Sequence, residues 1–239
     1  MLTLPMLYSP TAEELKILRE STLLKNLDMS SLMAIVQAAT PYKAGRGGFF
    51  FHQGEPATTF FLLVSGRVRL SQIADDGRQV IFHYFGAGEG IGVAVVMTGN
   101  NYPVSAEAVT DSFALGWDRE ASISLMEKYP RLAINSMELI AVRFWELQNR
   151  YRELATERVE QRLARAILRL TDHLYGQVTH TPATLKLSRQ DLAEMTGTTL
   201  FSVSRICSDW EQRGILATGR EQITVLNREE LQDVAADLP

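Results

Sequence analysis

The sequence predicts an α+β protein: an N-terminal antiparallel β-roll of the jelly-roll kind, a long helix, and a C-terminal winged helix-turn-helix. Three observations carry this. Between Tyr42 and Trp117 short apolar stretches are cut by glycine-containing turns. Residues 131–155 contain no Gly or Pro and bring apolar side chains round every three or four positions. Residues 187–206 follow the pattern of two short helices meeting at a glycine. The organisation expected is a roll over residues 1–130, the long helix over 131–155, and the winged domain over 156–239.

At 239 residues the chain is long enough for two cores. Its 46% apolar content is ordinary for a globular protein, and no apolar run approaches the roughly 20 residues of a membrane helix. The N-terminus shows no basic cluster followed by an apolar stretch, so no secretory signal and no membrane partner are expected. One cysteine, Cys207, excludes an internal disulfide framework and an iron–sulfur cluster held by several thiolates of one chain. A reducing cytoplasm fits this. The net charge of −4 does not point to nucleic acid, and residues 156–219 carry about as many Arg and Lys as Asp and Glu. Any case for nucleic acid must therefore come from pattern.

Residues 14–38 read as short amphipathic helices, with Leu23, Leu24, Leu27, Leu32, Ile35 and Val36 at helical intervals. In the roll, Phe49–Phe51, Thr59–Val64, Arg67–Leu70 and Val80–Phe82 are strand-like, separated by turns at Gln53-Gly54-Glu55, Ser65-Gly66 and Asp76-Gly77. Asp-Gly between two strand-like runs predicts a hairpin, because glycine takes positive φ without steric cost. Many short strands at such spacing predict a closed antiparallel roll.

In the long helix, Ile134, Met137, Ile140, Ala141, Phe144, Leu147, Gln148, Tyr151 and Leu154 recur close to an a/d seam. One account is packing on the helix's own domain. The other is a symmetric dimer contact, centred on Met137, Ile140, Ala141, Phe144, Leu147 and Tyr151, as a stripe this long between two domains suggests. A second helix over 157–175 buries Val159, Leu163, Ala166, Ile167 and Leu170, with a hinge near Ala155-Thr156.

From Leu187 to Ile206 each position has a physical reason. Ser188 is an N-cap with Asp191 as the acidic partner of a capping box. Ala193 is small where two helices approach closely, and Gly197 stands where the first helix must turn. Thr199 caps a second helix whose buried face is Val203, Ile206 and Trp210. This is helix-turn-helix spacing, and Gly214 to Leu226 supplies a hairpin wing. On the exposed face lie Leu200, Phe201, Ser204 and Arg205. Arg205 can offer its guanidinium fork to guanine O6 and N7, and Phe201 can pack on a thymine methyl. Ser188, Thr198, Thr199 and Ser202 cluster at helix starts, where hydroxyls and N–H groups grip phosphate; Arg189 opens the first helix beside them. Double-stranded DNA is thus the expected partner. The alternative for Arg205 is an ion pair with Asp209.

With these residues the chain resembles the CRP/FNR family of bacterial regulators, from about residue 22 to 230. The resemblance rests on Gly54-Glu55-Pro56-Ala57, Leu63-Val64-Ser65-Gly66-Arg67-Val68, Gly86-Ala87-Gly88-Glu89-Gly90-Ile91-Gly92 and the whole helix-turn-helix. It implies a cyclic-nucleotide-binding-like roll, a dimerisation helix, a winged DNA-binding domain, a homodimer on a pseudo-palindrome, and RNA polymerase as a further partner. The resemblance places an effector pocket at His83, Gly88, Glu89, Gly92, Val93, Tyr102, Pro103 and Val104.

The departures are informative. Where cAMP-binding members use a glutamate for ribose and an Arg-Ser pair for phosphate, this chain has Val93, Pro103 and Val104. Without that positive charge a cyclic phosphate loses its charge-assisted hydrogen bonds, which argues against cAMP. The oxygen-sensing members hold their cluster with cysteines near the N-terminus; none stands there. Asn101–Ala108 is more similar to the cysteine-free branch that includes haem-dependent, nitric-oxide-responsive regulators. Haem is therefore the candidate cofactor, with His52 and His83 as the only histidines of the roll to offer iron. The blander account of each is a surface or strand-packed side chain. The oxygen sensor's Glu, Ser and Arg correspond to Phe201, Ser204 and Arg205, so the operator should keep the guanine facing Arg205 and differ where the glutamate reads.

Three other readings compete. A metal enzyme on a jelly roll is disfavoured because His52, His83, His173 and His180 show no paired ligand spacing, so neither a metal site nor a catalytic residue is expected. A cyclic-nucleotide-binding module acting on a protein partner leaves the helix-turn-helix unused. A regulator needing no effector fits the sequence as well.

Overall fold

The computed structural model describes residues 8–175 and 182–237; His180 lies outside them. The chain divides into two compact units, one of Phe82–Trp145 with the residues up to Gln72, the other of Ile73–Ile81 with Glu146 onward.

The first unit begins with helix α1 (Ala12–Glu20), started by a Thr11–Glu14 capping box, and α2 (Met29–Gln37), capped by Asp28. These are the short helices the apolar spacing predicts, and Leu23, Leu24, Leu32, Ile35 and Val36 are all buried. Eight strands follow: β1 (Thr40–Ala44), β2 (Phe49–Phe51), β3 (Thr59–Ser65), β4 (Val68–Ile73), β5 (Gln79–Phe85), β6 (Gly90–Ile91), β7 (Ser105–Ala108) and β8 (Ser112–Asp118). They form two four-stranded sheets, in the orders β1-β8-β3-β6 and β2-β7-β4-β5. Side chains of both sheets, among them Phe51, Val68, Ala106, Phe60, Leu62 and Trp117, share one buried cluster with Leu18, Leu23 and Ile35 of the helical segment. That is a jelly-roll-like antiparallel roll.

Strand β3 lies between β8 and β6, and Phe60–Val64 is buried on both faces. A strand covered on both faces reads as a continuous apolar run, which is what this segment shows. The Ser65-Gly66 turn is set by close approach. Gly66 has φ +89°, and a Cβ there would lie 2.3 Å from Ser112 Oγ and 2.5 Å from the Asp111 carbonyl oxygen. The Asp-Gly hairpin between β4 and β5 forms as expected, with Gly77 at φ +80° and Ala74 N–H donating to the Arg78 carbonyl at 2.9 Å. Trp117 is anchored where its indole N–H donates to the Ile35 carbonyl at 2.9 Å.

Two helices of this unit escape sequence pattern. Helix α3 (Val93–Thr98) is built from a β-branched run that local preference assigns to strand; burial of Val93 and Val96 overrides that preference. Helix α4 (Arg119–Lys128) is capped by Asp118.

Helix α5 (Pro130–Thr156) is the long helix. Its early turns bury Leu132, Asn135, Ser136 and Leu139. Asn135 Nδ2 donates to the carbonyls of Leu23 and Lys25 at 2.9 and 2.8 Å, which ties α5 to the segment between α1 and α2.

The second unit contains the last turns of α5, then α6 (Val159–Tyr175), β9 (Ala183–Leu185), α7 (Arg189–Thr196), α8 (Leu200–Gln212), β10 (Leu216–Gly219), β11 (Gln222–Val225) and α9 (Arg228–Ala236). The helical break falls at Glu157-Arg158, two residues beyond the expected hinge. Helix α6 buries Leu163, Ala166, Ile167 and Leu170 as its spacing predicts. The wing strands β10 and β11 form, and β9 adds a third strand beside β11 that the sequence reading did not anticipate. Among the described residues no helix is long and apolar enough to cross a membrane.

Candidate nucleic-acid interface

The local chemistry of the α7–turn–α8 segment explains its shape. The Ser188 hydroxyl accepts from Asp191 N–H at 3.1 Å while the Asp191 carboxylate accepts from Ser188 N–H at 2.7 Å, closing the expected capping box. Helix α7 stops at Gly197, whose φ of +62° is left-handed; an L-residue there would add strain and bring a Cβ to 3.2 Å from Leu154 Cδ2. Thr199 Oγ1 accepts from Ser202 N–H at 3.1 Å and so starts α8. Val203, Ile206, Cys207 and Trp210 are buried against the rest of the unit. The Trp210 indole donates to Glu160 Oε1 at 3.3 Å, and its carbonyl accepts from Ile215 N–H at 2.9 Å, which holds the wing to the end of α8. Burial pushes the Cys207 thiol up to about 11, so it behaves as a small packed residue rather than a thiolate.

What remains outside is a row along α8. Leu200 and Arg205 are exposed, Phe201 is 79% exposed, and Ser202 and Ser204 are half-buried beside them. Thr198 and Thr199 stand at the helix start. Among the described residues Arg205 makes no ion pair, because Asp209 pairs with Arg213 instead, at 3.6 Å. Leu200 and Phe201 leave adjacent apolar side chains in solvent on the same helix as the Arg205 guanidinium.

Arg189 differs from the expectation. Its Nη2 donates to Thr218 Oγ1 at 2.5 Å and lies 3.4 Å from Glu211 Oε2. Glu211 Oε1 in turn accepts from Thr218 N–H at 2.8 Å. Arg189 therefore braces α7, α8 and the wing, and its guanidinium is committed inside the unit. The Ser188 hydroxyl is likewise engaged, donating to Asp191 at 2.8 Å.

The other two groups of residues are placed as follows. On α5, Met137, Ile140, Ala141, Phe144, Leu147 and Tyr151 are all exposed, with Ile134, Trp145 and Leu154 beside them. Met137 is 70% exposed and Tyr151 74%. In the roll, Val93 and Tyr102 are buried, Val104 is half-buried against the core, and Pro103 is exposed. Tyr102 stacks on Phe51 with ring centroids 3.7 Å apart, and its hydroxyl donates to the Thr59 carbonyl. Desolvation raises its pKa, so it stays a neutral donor. Gly92 packs against the Tyr102 ring, and Gly88 takes φ +86°. Glu89 accepts from Gly86 N–H at 2.7 Å and from Arg143 Nη2 of α5. Arg143 lies over Phe85, its guanidinium carbon 5.0 Å from the ring centroid, and His83 Nε2 is 3.5 Å from Glu89. Sequence reasoning missed Arg143. The available signal was an arginine among the apolar residues in the middle turns of the long helix. His52 is exposed and stacks on Phe49 at 4.2 Å.

A β-roll followed by a helix-turn-helix whose second helix presents an exposed polar and aromatic row defines a DNA-binding regulator. Comparison with known proteins agrees. Residues 42–129 match the cyclic nucleotide-binding domain and residues 161–234 the Crp-like helix-turn-helix domain. The nitrogen fixation regulation protein FixK of Azorhizobium caulinodans is 32% identical over 199 residues, covering 80% of this chain and 77% of that protein. A CRP-like cAMP-activated global transcriptional regulator of Mycobacterium tuberculosis is 23% identical over 222 residues, 90% of this chain and 97% of that one. The structure of FixK2 from Bradyrhizobium japonicum superposes with a TM-score of 0.71 at 25% identity, over 82% of this chain and 96% of that chain. The chain belongs to the CRP/FNR family: it is a DNA-binding transcription regulator and not an enzyme.

The Glu211 brace carries a pH signature. The hydrogen bond from the Thr218 hydroxyl holds its carboxyl below the ordinary value. A depressed folded pKa adds stability that is present above the unfolded carboxylate pKa and lost as pH falls through the folded one. Stability of the wild-type protein should therefore drop on acidification below about pH 4.3. In urea titrations at pH 7 and pH 3.5, Glu211→Gln should narrow the difference between the two pH values; an unchanged difference would refute the brace.

Proposed function

We propose that this CRP/FNR regulator acts in the cytoplasm as a homodimer reading a pseudo-palindromic operator, with α8 in the major groove and without cAMP as its effector. The observation that carries the reading is the exposed row on α8, where Arg205 has no ion-pair partner among the described residues and Phe201 stands in solvent. Arg205 matches the geometry of guanine O6/N7 recognition, and Phe201 suits a thymine methyl. The hydroxyls of Thr198, Thr199 and Ser202 at the helix start suit phosphate.

The dimer is supported by the apolar face of α5. Aromatic and aliphatic side chains from Ile134 to Leu154 form a stripe over nearly six helical turns. A second copy meeting it about a two-fold axis buries the same residues on both sides. Two recognition helices then address half-sites about 34 Å apart.

The reading against cAMP is supported by the residues at the ribose and phosphate positions. Val93 is apolar and buried, and Pro103 and Val104 carry no charge. The cation facing the glycine-rich turn, Arg143, is already engaged by Glu89. The mycobacterial relative is described as cAMP-activated; that description belongs to a chain of 23% identity. Haem fits poorly. His52 lies on the outer surface against Phe49, and His83 faces the carboxylate of Glu89 instead of an apolar chamber. A second reading, a regulator that needs no effector, is favoured by Tyr102, which stacks on Phe51 and bonds to Thr59 within the region assigned to an effector.

Three measurements test these statements. With an operator selected from random duplexes, Arg205→Ala should weaken binding roughly 5- to 150-fold, equivalent to about 1–3 kcal/mol. Replacing the facing guanine should cost the wild type the same and the variant nothing further; a guanine replacement without effect on the wild type refutes the contact. Tyr151→Glu combined with Phe144→Glu should convert a dimer to a monomer in sedimentation. Saturating cAMP should leave operator affinity within twofold, and added haem should give no stoichiometric Soret band; either response would reverse the effector reading.

A further inference from the structure

The last turns of α5 belong to the unit that holds the helix-turn-helix. Their polar contacts are unlike those of an exposed helix end. Glu153 is two residues from Tyr151, about 200° round the helix, and so faces away from the apolar stripe. Its side chain is only 7% exposed. Both carboxylate oxygens accept from one nitrogen, Arg169 Nη1 of α6, at 2.6 and 2.8 Å. Glu157, also nearly buried, accepts from Arg165 Nε at 2.9 Å and lies 3.4 Å from Arg152 Nη1. Arg162 donates to the Glu157 carbonyl at 2.8 Å and to the Thr196 carbonyl at 3.1 Å. Thr196 is the last residue of α7, and the next residue, Gly197, has Leu154 packed against it.

These contacts run from the end of α5 across α6 to the corner of the helix-turn-helix. A buried carboxylate needs its cation, and removing one partner of such a pair is strongly destabilising to the local arrangement. Neither Glu153 nor Arg169 is on the α8 face proposed to meet DNA or in the exposed apolar stripe of α5. Their geometric effect is to fix the angle at which α6 leaves α5 and the seat of the α7–α8 corner against that elbow.

We propose that Glu153 and Arg169 are positioning residues for operator recognition: by locking the α5–α6 elbow they hold each recognition helix at the orientation that lets one dimer engage two half-sites at once. This rests on the dimeric reading above. Engagement of a single half-site needs only a folded domain. Simultaneous engagement converts the second contact into an intramolecular one, and its gain collapses when the geometry between the two modules loosens. The pair therefore acts on the difference between full-site and half-site binding, whereas a merely structural pair would act equally on both.

The experiment compares full-length wild type, Glu153→Gln, Arg169→Gln and Arg169→Lys on three duplexes: the selected palindrome, a single half-site, and palindromes with one base pair added or removed at the centre. Each neutralising variant should weaken palindrome binding about tenfold, out of an avidity gain of order 10²–10⁴. Half-site affinity should stay within twofold, and the penalty for altered spacing should shrink. Arg169→Lys, which keeps the charge, should stay within about threefold of the wild type on the palindrome. Equal losses on half-site and palindrome would overturn the proposal, as would no loss on either. A wild type that binds palindrome and half-site alike would overturn the dimeric reading itself, and the positioning role with it.

Discussion

Helix α5 has to satisfy two surfaces at once, and much of the structure follows from that. One side buries Leu132, Asn135 and Leu139 against the roll segment and places Arg143 on Glu89. The other leaves Met137, Phe144 and Tyr151 in solvent. An amphipathic helix has one apolar stripe and one polar face. This one has apolar residues on both sides, and the exposed set is too large to be incidental. The buried side fixes which residues are left outside, so the roll determines which apolar face of α5 stays exposed.

The DNA-binding unit divides its charged groups between internal bracing and recognition. Arg162, Arg165, Arg169, Arg189 and Arg228 are all committed to carboxylates or carbonyls of the same unit. Arg205 is not. Within a near-neutral domain, partners inside the unit hold these five cations, while the Arg205 guanidinium faces solvent. The net charge of −4 is uninformative for the same reason: phosphate contact depends on which groups face outward, not on the total.

In the roll, Val93 and Tyr102 are turned to packing. Val93 opens the short helix α3 with its side chain buried in the core, and Tyr102 spends its ring on Phe51 and its hydroxyl on the Thr59 backbone. At the glycine-rich turn Glu89 is engaged by Arg143, from a helix remote in sequence.

The roll, the long helix and the helix-turn-helix were legible in the sequence because each depends on short-range rules. Glycines at Gly66, Gly77 and Gly197 mark turns, Ser188 and Thr199 cap helices, and periodicity separates strand from helix. The apolar seam of α5 was legible too, as were Phe201 and Arg205. Helix α3 was not, because burial overrides the strand preference of its valines. Strand β9 was hidden because three residues carry too little periodicity, and it forms only by pairing with β11. The commitment of Arg189 to Glu211 and Thr218, the pairing of Arg143 with Glu89 and the Glu153–Arg169 clamp join residues 16 to 54 positions apart. Sequence pattern determined which elements form and which faces are apolar. Only the tertiary structure decided which charges are spent on each other and which remain for DNA, because an ion pair depends on distance in space and leaves no periodic trace in the chain.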